Sequence, residues 1–426
     1  RGLVIMAGPR GLAWILLANF FIAVDYSMIM PTGWQYMEQL GGSPVFYSET
    51  IAAFPIGRLL CLLPIGLWSD RRGFRWPFCV ANLLGAAGGI TYGLAAMFRS
   101  KWLAMFGRFL GGCGATLPLS AWAARSYPPH RRARIESLQK VVQLSGLALG
   151  PAMNALVCDL DLRFGDLQVN PLTCAGFVPG LLSLLMLLAF ACGVEEPAPA
   201  SPERKRESGR RLLSSGGWLC LWVGFHTNLQ ISAVDTMLAP LTARHFGWTL
   251  LQNSIMFAML ALVCFSGALA GLVATRCGAP SMCIMKAGSF VNLVSSIVAA
   301  IALRAAPGTI SMATLLAVSG VSIWSMLFYA GTAGAMYQQA CGDSQGLLGA
   351  LYAMAFAFGR PIGAVLGGCM LNGHPLPLCI ALPGCVAISI PLQFLFGHRL
   401  QNAENQAFLA HENSERCDGD GAAESN

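Results

Sequence analysis

A chain of 426 residues that is 55% hydrophobic and only 11% charged lacks the surface of a soluble protein, where about a quarter of residues carry charge. Its formal charge of +7 does not argue for a nucleic-acid partner, because the arginines gather in segments between apolar runs, where they set orientation in a bilayer. A membrane barrel would alternate and carry more charge, so the composition specifies an all-α membrane protein.

The apolar runs fall at about residues 11–33, 46–68, 76–98, 101–123, 137–158, 172–194, 216–238, 250–274, 282–304, 309–331, 345–371 and 377–396. Each is roughly the 20 residues that a helix needs to cross the hydrocarbon core, so about twelve transmembrane helices are expected. Of the Lys and Arg residues, 19 share a side with Asp70, five (Arg99, Lys101, Arg163, Arg244 and Arg304) lie opposite, and Arg58, Arg108 and Arg360 fall inside runs. That bias puts both termini and the central connection in the cytosol, in an organellar or plasma membrane. The expected organisation is an N-terminal six-helix half over 1–194, a cytosolic linker over 195–215, a C-terminal six-helix half over 216–400 and a disordered cytosolic tail over 401–426. Linker and tail are too polar to bury a core.

Most of the 15 cysteines lie inside apolar runs without CxxC or Cys/His spacing. They read as small core residues, and neither a metal nor any other cofactor is expected. Without a phosphate-binding glycine loop, a nucleophile elbow or a zinc motif, the sequence indicates neither ATP drive nor an enzyme.

Between the second and third runs lies Gly66-Leu67-Trp68-Ser69-Asp70-Arg71-Arg72-Gly73-Phe74-Arg75. It reads as a short loop that forces two antiparallel helices. Gly66 would let a neighbouring backbone approach closely, Gly73 would permit the tight turn, and Asp70 would be stabilised at the N-terminus of another helix. The spacing G-x-x-x-D-R-x-G-x-R, carried by Gly66, Asp70, Arg71, Gly73 and Arg75, resembles the signature loop of the major facilitator superfamily of transporters. The resemblance implies a two-half, twelve-helix fold in which this loop braces the halves in one state. Phe74 departs from it, standing where the family usually has a basic residue. An internal echo supports two related halves. Ala23-Val24-Asp25, Pro31 and Gly66…Gly73 return as Ala233-Val234-Asp235, Pro240 and Gly271…Gly278.

A charge at the bilayer centre needs a partner or a cavity. The candidates for substrate binding or coupling are Asp25, Arg58, Arg108, Asp235 and Arg360, with His226 as polar company. Three cations against two acids suit an anion. Arg108 opens R-x-x-x-G-x-G, which also resembles the superfamily, whose fourth helix carries a cavity-facing arginine; its alternative role is to pair with an acid and hold helices together. Gly146, Gly150 and Pro151, matched by Gly359-Arg360-Pro361, mark sites of helix bending. Arg360 grips a carboxylate or phosphate bidentately, or pairs structurally with Asp235 or Asp25. Either acid could carry a coupling proton. Tyr26 reads as core packing, with a cavity-facing position as the alternative.

Within the superfamily, Met30-Pro31-Thr32-Gly33-Trp34-Gln35-Tyr36, Trp68-Ser69-Asp70 and Ala124-Arg125-Ser126-Tyr127 resemble the branch of lysosomal ceroid-lipofuscinosis-type proteins and SPX-linked vacuolar phosphate transporters. That resemblance implies an organellar membrane and a small anion. The expectation is therefore a monomeric secondary transporter in the lipid bilayer, working by alternating access on a small-molecule or ion substrate, with a coupling proton. A non-transporting receptor or scaffold that keeps the fold, and an anion channel, are the alternatives.

Overall fold

The computed structural model describes residues 9–117, 119–127, 129–193, 217–304, 312–341 and 345–423; the linker expected over 195–215 lies outside them. The helices are α1 (Pro9–Gln39), α2 (Pro44–Arg72), α3 (Arg75–Leu94), α4 (Lys101–Gly114), α5 (Leu119–Ser126), α6 (Pro129–Leu156), α7 (Pro171–Gly193), α8 (Gly217–Phe246), α9 (Leu250–Arg276), α10 (Ser281–Arg304), α11 (Met312–Cys341), α12 (Gln345–Leu371) and α13 (Leu376–Ala423). The span expected over 101–123 is broken into α4 and α5. Gly111, Gly112 and Gly114 are weak helix formers, and Pro118 has no N–H to bond back. Taken as one crossing, α4 and α5 bring the total to the expected twelve.

Helix starts follow side-chain chemistry. Ser43 accepts from the Phe46 amide at 3.2 Å, Ser100 from Leu103 at 3.3 Å, and Thr249 with Gln252 forms a capping box on α9, each satisfying amides that the first turn leaves unpaired. Among the described residues, nine helices are long and apolar enough to cross a membrane on their own. Of the remaining crossings, α4/α5 is interrupted and α6 is apolar only over Val141–Leu156. The third, α8, buries His226, Thr227, Asn228, Gln230, Ser232 and Thr236. A helix enclosed by protein can carry polar groups that lipid would not tolerate, provided they find partners.

Small residues set the helix contacts, and they do so twice. A Cβ on Gly57 would run into the Phe109 carbonyl and one on Gly112 into that of Phe54, so α2 and α4 touch backbone to backbone. In the second half, Gly267 and Gly271 on α9 press against the Trp324 and Phe328 carbonyls of α11. Likewise Gly146 and Gly150 seat α6 on α1 at Phe20 and Val24, while Gly359 and Gly363 seat α12 on α8 at Phe225 and Leu229. Close backbone approach replaces the hydrophobic driving force that lipid removes.

The cores show how the halves meet. One large cluster joins both halves at the end where α1 finishes and α2 begins, combining Trp34, Tyr36 and Tyr47 with Leu229, Met237 and Phe257. At the opposite end the described residues form two separate clusters. Phe74, Phe78, Trp122 and Phe190 belong to the first half alone, and Leu219, Met285, Tyr329 and Tyr337 to the second.

Three expectations change. Asp70, Arg71 and Arg72 do not form a loop: α2 continues through Arg72, and only Gly73 and Phe74 separate it from α3. Basic residues in a last turn favour that continuation by complementing the helix dipole. The stretch 401–423, expected as a disordered tail, continues α13 as helix; it is rich in Ala, Gln and Glu and meets no glycine before Gly419, so a helix already nucleated in α13 propagates. Between α6 and α7 stands a small hairpin, β1 (Leu162–Phe164) and β2 (Leu167–Val169), antiparallel with Leu162 opposite Val169. Its turn uses Gly165 at φ +63°, a conformation that costs glycine little.

Candidate substrate site

Two groups of charge sit at mid-depth. In the first half, Asp25 on α1 and Arg108 on α4 form an ion pair at 3.7 Å, with side chains 17% and 2% exposed. The Arg108 guanidinium also lies 4.3 Å above the Phe54 ring. This pair belongs to the interior of the first half. Asp25 lines a small cavity between α1, α3, α4 and α7 with Asn82, Gly111 and Ser183. The Arg108 Nε and Nη2 have no hydrogen-bond partner among the described residues.

The second group lies where the halves meet. Arg360 on α12 donates through Nε to Asn228 Oδ1 at 3.1 Å. Its guanidinium stacks 4.3 Å over the ring of Tyr26, which comes from α1 in the other half. The Tyr26 hydroxyl donates to Asp235 on α8 at 3.1 Å. Arg58, mid-way along α2, lies within electrostatic reach of Arg360. Among the described residues, neither Arg58 nor Arg360 has a carboxylate within ion-pair distance, and both are half-buried.

Helix geometry accounts for this grouping. Asn228 and Asp235 are seven residues apart and share a face of α8; Phe54 and Arg58 are one turn apart on α2. His226 is nine residues from Asp235, which turns it to the opposite face. It is fully buried against Trp222 and Tyr329, at ring distances of 6.4 and 6.2 Å, away from the charges. Asn228 was legible from that spacing. A cavity-facing Tyr26 was open in the sequence, but its partners Asp235 and Arg360 were not, because they come from the second half. A further missed feature is neutral: Asn292 donates to Gln230 and to Tyr329 at 3.0 Å each and accepts from Ser296 and Ser322 at 3.3 Å, all buried.

At the joined end, Ser48 on α2 fills the space beside Gly368 on α12. Arg244 at the end of α8 stacks 4.5 Å over Trp34 of α1, and Trp34 meets Tyr47 edge-on at 5.8 Å. Both cation–π contacts between α1 and the second half hold the two bundles together.

At the other end, the expected close approach at Gly66 is not made by the described residues: none lies within 4 Å of a Cβ placed there, and Leu67 is 55% exposed. Gly73 has φ +85° and makes the turn as expected. Arg75 donates to the Ala191 carbonyl in the last turn of α7, tying α3 to α7 inside one half. Phe74 is fully buried against Phe78, which in turn packs on Phe190, so the position that departs from the family pattern serves the core. The side chain of Asp70 lies outside the described residues. Gly146 and Pro151 sit on α6, where Ser27 of α1 reaches the Gly146 carbonyl at 3.4 Å.

A twelve-crossing bundle in two pseudo-symmetric halves, with charges gathered at mid-depth, has the architecture of a solute carrier. Residues 15–364 match the family model of the Major Facilitator Superfamily, and the chain belongs to that superfamily. An SPX domain-containing membrane protein from Arabidopsis thaliana is 28% identical over 185 residues, which cover 43% of this chain and 26% of that protein. Major facilitator superfamily domain-containing protein 8 of Xenopus laevis is 25% identical over 187 residues, 41% of this chain and 37% of the relative. The match thus spans about a quarter of the first relative's length and somewhat over a third of the second's. Among solved structures, a bacterial homologue of the human lysosomal transporter Spinster, inward-facing and unoccupied, superposes with a TM-score of 0.67 at 16% identity, covering 95% of this chain and 98% of that one. The xylose transporter XylE from E. coli, in a partially occluded inward-open conformation, gives 0.64 at 15% identity over 91% and 98%. These two share the fold.

Proposed function

We propose that the protein is a secondary transporter that carries a small anion across its membrane by alternating access, with Arg360 and Arg58 as the anion-holding pair. The observation that carries this reading is a charge balance. Asp25 and Arg108 neutralise each other inside one half, which leaves Arg58 and Arg360 against Asp235 where the halves meet. Two guanidiniums against one carboxylate leave surplus positive charge where the halves meet, at a depth where charge marks a substrate path, and guanidinium suits carboxylate or phosphate. The arginines come from opposite halves, so an anion held by both would draw the halves together. Arg108, which the sequence placed beside Arg360 as a substrate group, becomes a structural cation in this reading.

Asp235, hydrogen-bonded by Tyr26, is the candidate for a coupling proton. The two core clusters that stand apart at the Asp70 end, where α5 still reaches α12, favour a state less closed on that side, and the arginine bias makes that side cytosolic. Gly66, Asp70, Arg71 and Arg75 would then engage the other half only in the opposite state.

The test is uptake into proteoliposomes from a panel of radiolabelled anions with an imposed pH gradient. Expected is saturable uptake of one anion that collapses with the gradient. Arg360→Ala and Arg58→Ala should each weaken apparent affinity about 10- to 150-fold, the equivalent of a charge-assisted hydrogen bond of about 1.5–3 kcal/mol. Conductance without coupling would make the protein an anion channel; no flux of any anion, cation or neutral solute would make it a receptor or scaffold.

A further inference from the structure

We propose that Tyr26 is a positioning residue, supplied by one half to the other, that holds Asp235 and Arg360 apart and so keeps the Arg360 charge available. The proposal rests on the anion reading of Arg360. An acid on α8 and an arginine on α12, both half-buried and on neighbouring helices, would be expected to pair directly, because each is otherwise poorly compensated at membrane depth. They do not pair. The Tyr26 hydroxyl holds the Asp235 carboxylate at 3.1 Å, and the face of its ring holds the Arg360 guanidinium at 4.3 Å. One side chain therefore satisfies both charges separately, and Asn228 fixes Arg360 from the remaining side at 3.1 Å. Tyr26 is itself 5% exposed, so its ring does not leave this place without α1 moving.

The repeat makes the device one-directional. Ala23-Val24-Asp25 is followed by Tyr26, whereas Ala233-Val234-Asp235 is followed by Thr236. The Thr236 hydroxyl donates to the Ser232 carbonyl of its own helix at 2.7 Å, and it is too short to do for Asp25 what Tyr26 does for Asp235. Asp25 accordingly pairs with its own arginine. When the halves re-pack and α1 withdraws from α8 and α12, Asp235 and Arg360 are released to pair, and Arg360 lets go of what it held. Tyr26 thus makes the hold of Arg360 on an anion depend on which side of the protein is open.

The experiment measures the rate of phenylglyoxal modification of Arg360 in the purified full-length protein, by peptide mass spectrometry, with the 68% exposed Arg163 as internal reference. Tyr26→Phe keeps the ring and its packing and removes only the hydroxyl. Expected is at least a fivefold slower modification of Arg360 in Tyr26→Phe, as Asp235 moves onto the guanidinium, and recovery of the original rate in the double variant Tyr26→Phe/Asp235→Asn. An unchanged rate in Tyr26→Phe, or a slow rate that persists in the double variant, overturns the proposal. Adding sulfate to the unaltered protein forms a separate arm. Sulfate protection of Arg360 supports the anion reading; no protection by sulfate, phosphate or a carboxylate, with the Tyr26 effect intact, sinks the anion reading and leaves the spacer in place.

Discussion

Arg108 is the residue at which burial and charge compete most sharply. With 2% exposure and Asp25 at 3.7 Å, it is compensated but not fully hydrogen-bonded. Breaking a buried pair by removing one partner costs about 3–5 kcal/mol, whereas replacing both with well-packed apolar groups is often neutral. Arg108→Met alone and Asp25→Leu alone should therefore lower the unfolding temperature in detergent strongly, and Asp25→Leu/Arg108→Met should recover most of the loss. Uptake by a stable double variant would confirm the structural role; a stable but inactive double variant would return Arg108 to the substrate site. The sequence alone held both roles open, because an arginine inside an apolar run shows that a partner must exist but not which one.

At the scale of elements, glycines that look alike in the sequence do different work. Gly112 meets the Phe54 backbone, while Gly66 meets none of the described residues. Gly112→Ala must push α2 from α4, and folded yield in detergent should fall sharply. Gly66→Ala should leave the unfolding temperature unchanged or slightly higher, since alanine is favoured over glycine in a helix by roughly 0.5–1 kcal/mol. If Gly66 nevertheless packs closely in the opposite state, the same variant should slow uptake; normal flux would remove it from the gating set. The helix limits that were harder to read have local causes. A run of glycines before Pro118 splits one crossing into α4 and α5, and the polar α8 has too little hydropathy to stand as a span by itself because protein, not lipid, surrounds it.

For the whole molecule, the arrangement of cores distinguishes the two ends. Among the described residues, the halves share one hydrophobic core at the Trp34 end and form separate clusters at the Asp70 end. If the halves rock between two states, the contact of Ser48 with Gly368 must open in the other. Any side chain on Gly368 would collide with Ser48, so Gly368→Leu should hold that end open and lower uptake in a protein that still folds; undiminished uptake would remove this contact from the transport cycle.

The number and order of crossings, the charge bias and the internal echo of Asp25 in Asp235 were present in the sequence, because hydropathy over about 20 residues and the 3.6-residue helical period are local properties. Partner choice was not. Arg108 and Arg360 each stand in an apolar run with glycines nearby, yet one is neutralised by its own half and the other rests on a tyrosine from across the interface. Only the tertiary structure decides between such outcomes, because an ion pair or a cation–π contact depends on side chains converging from helices far apart in the chain.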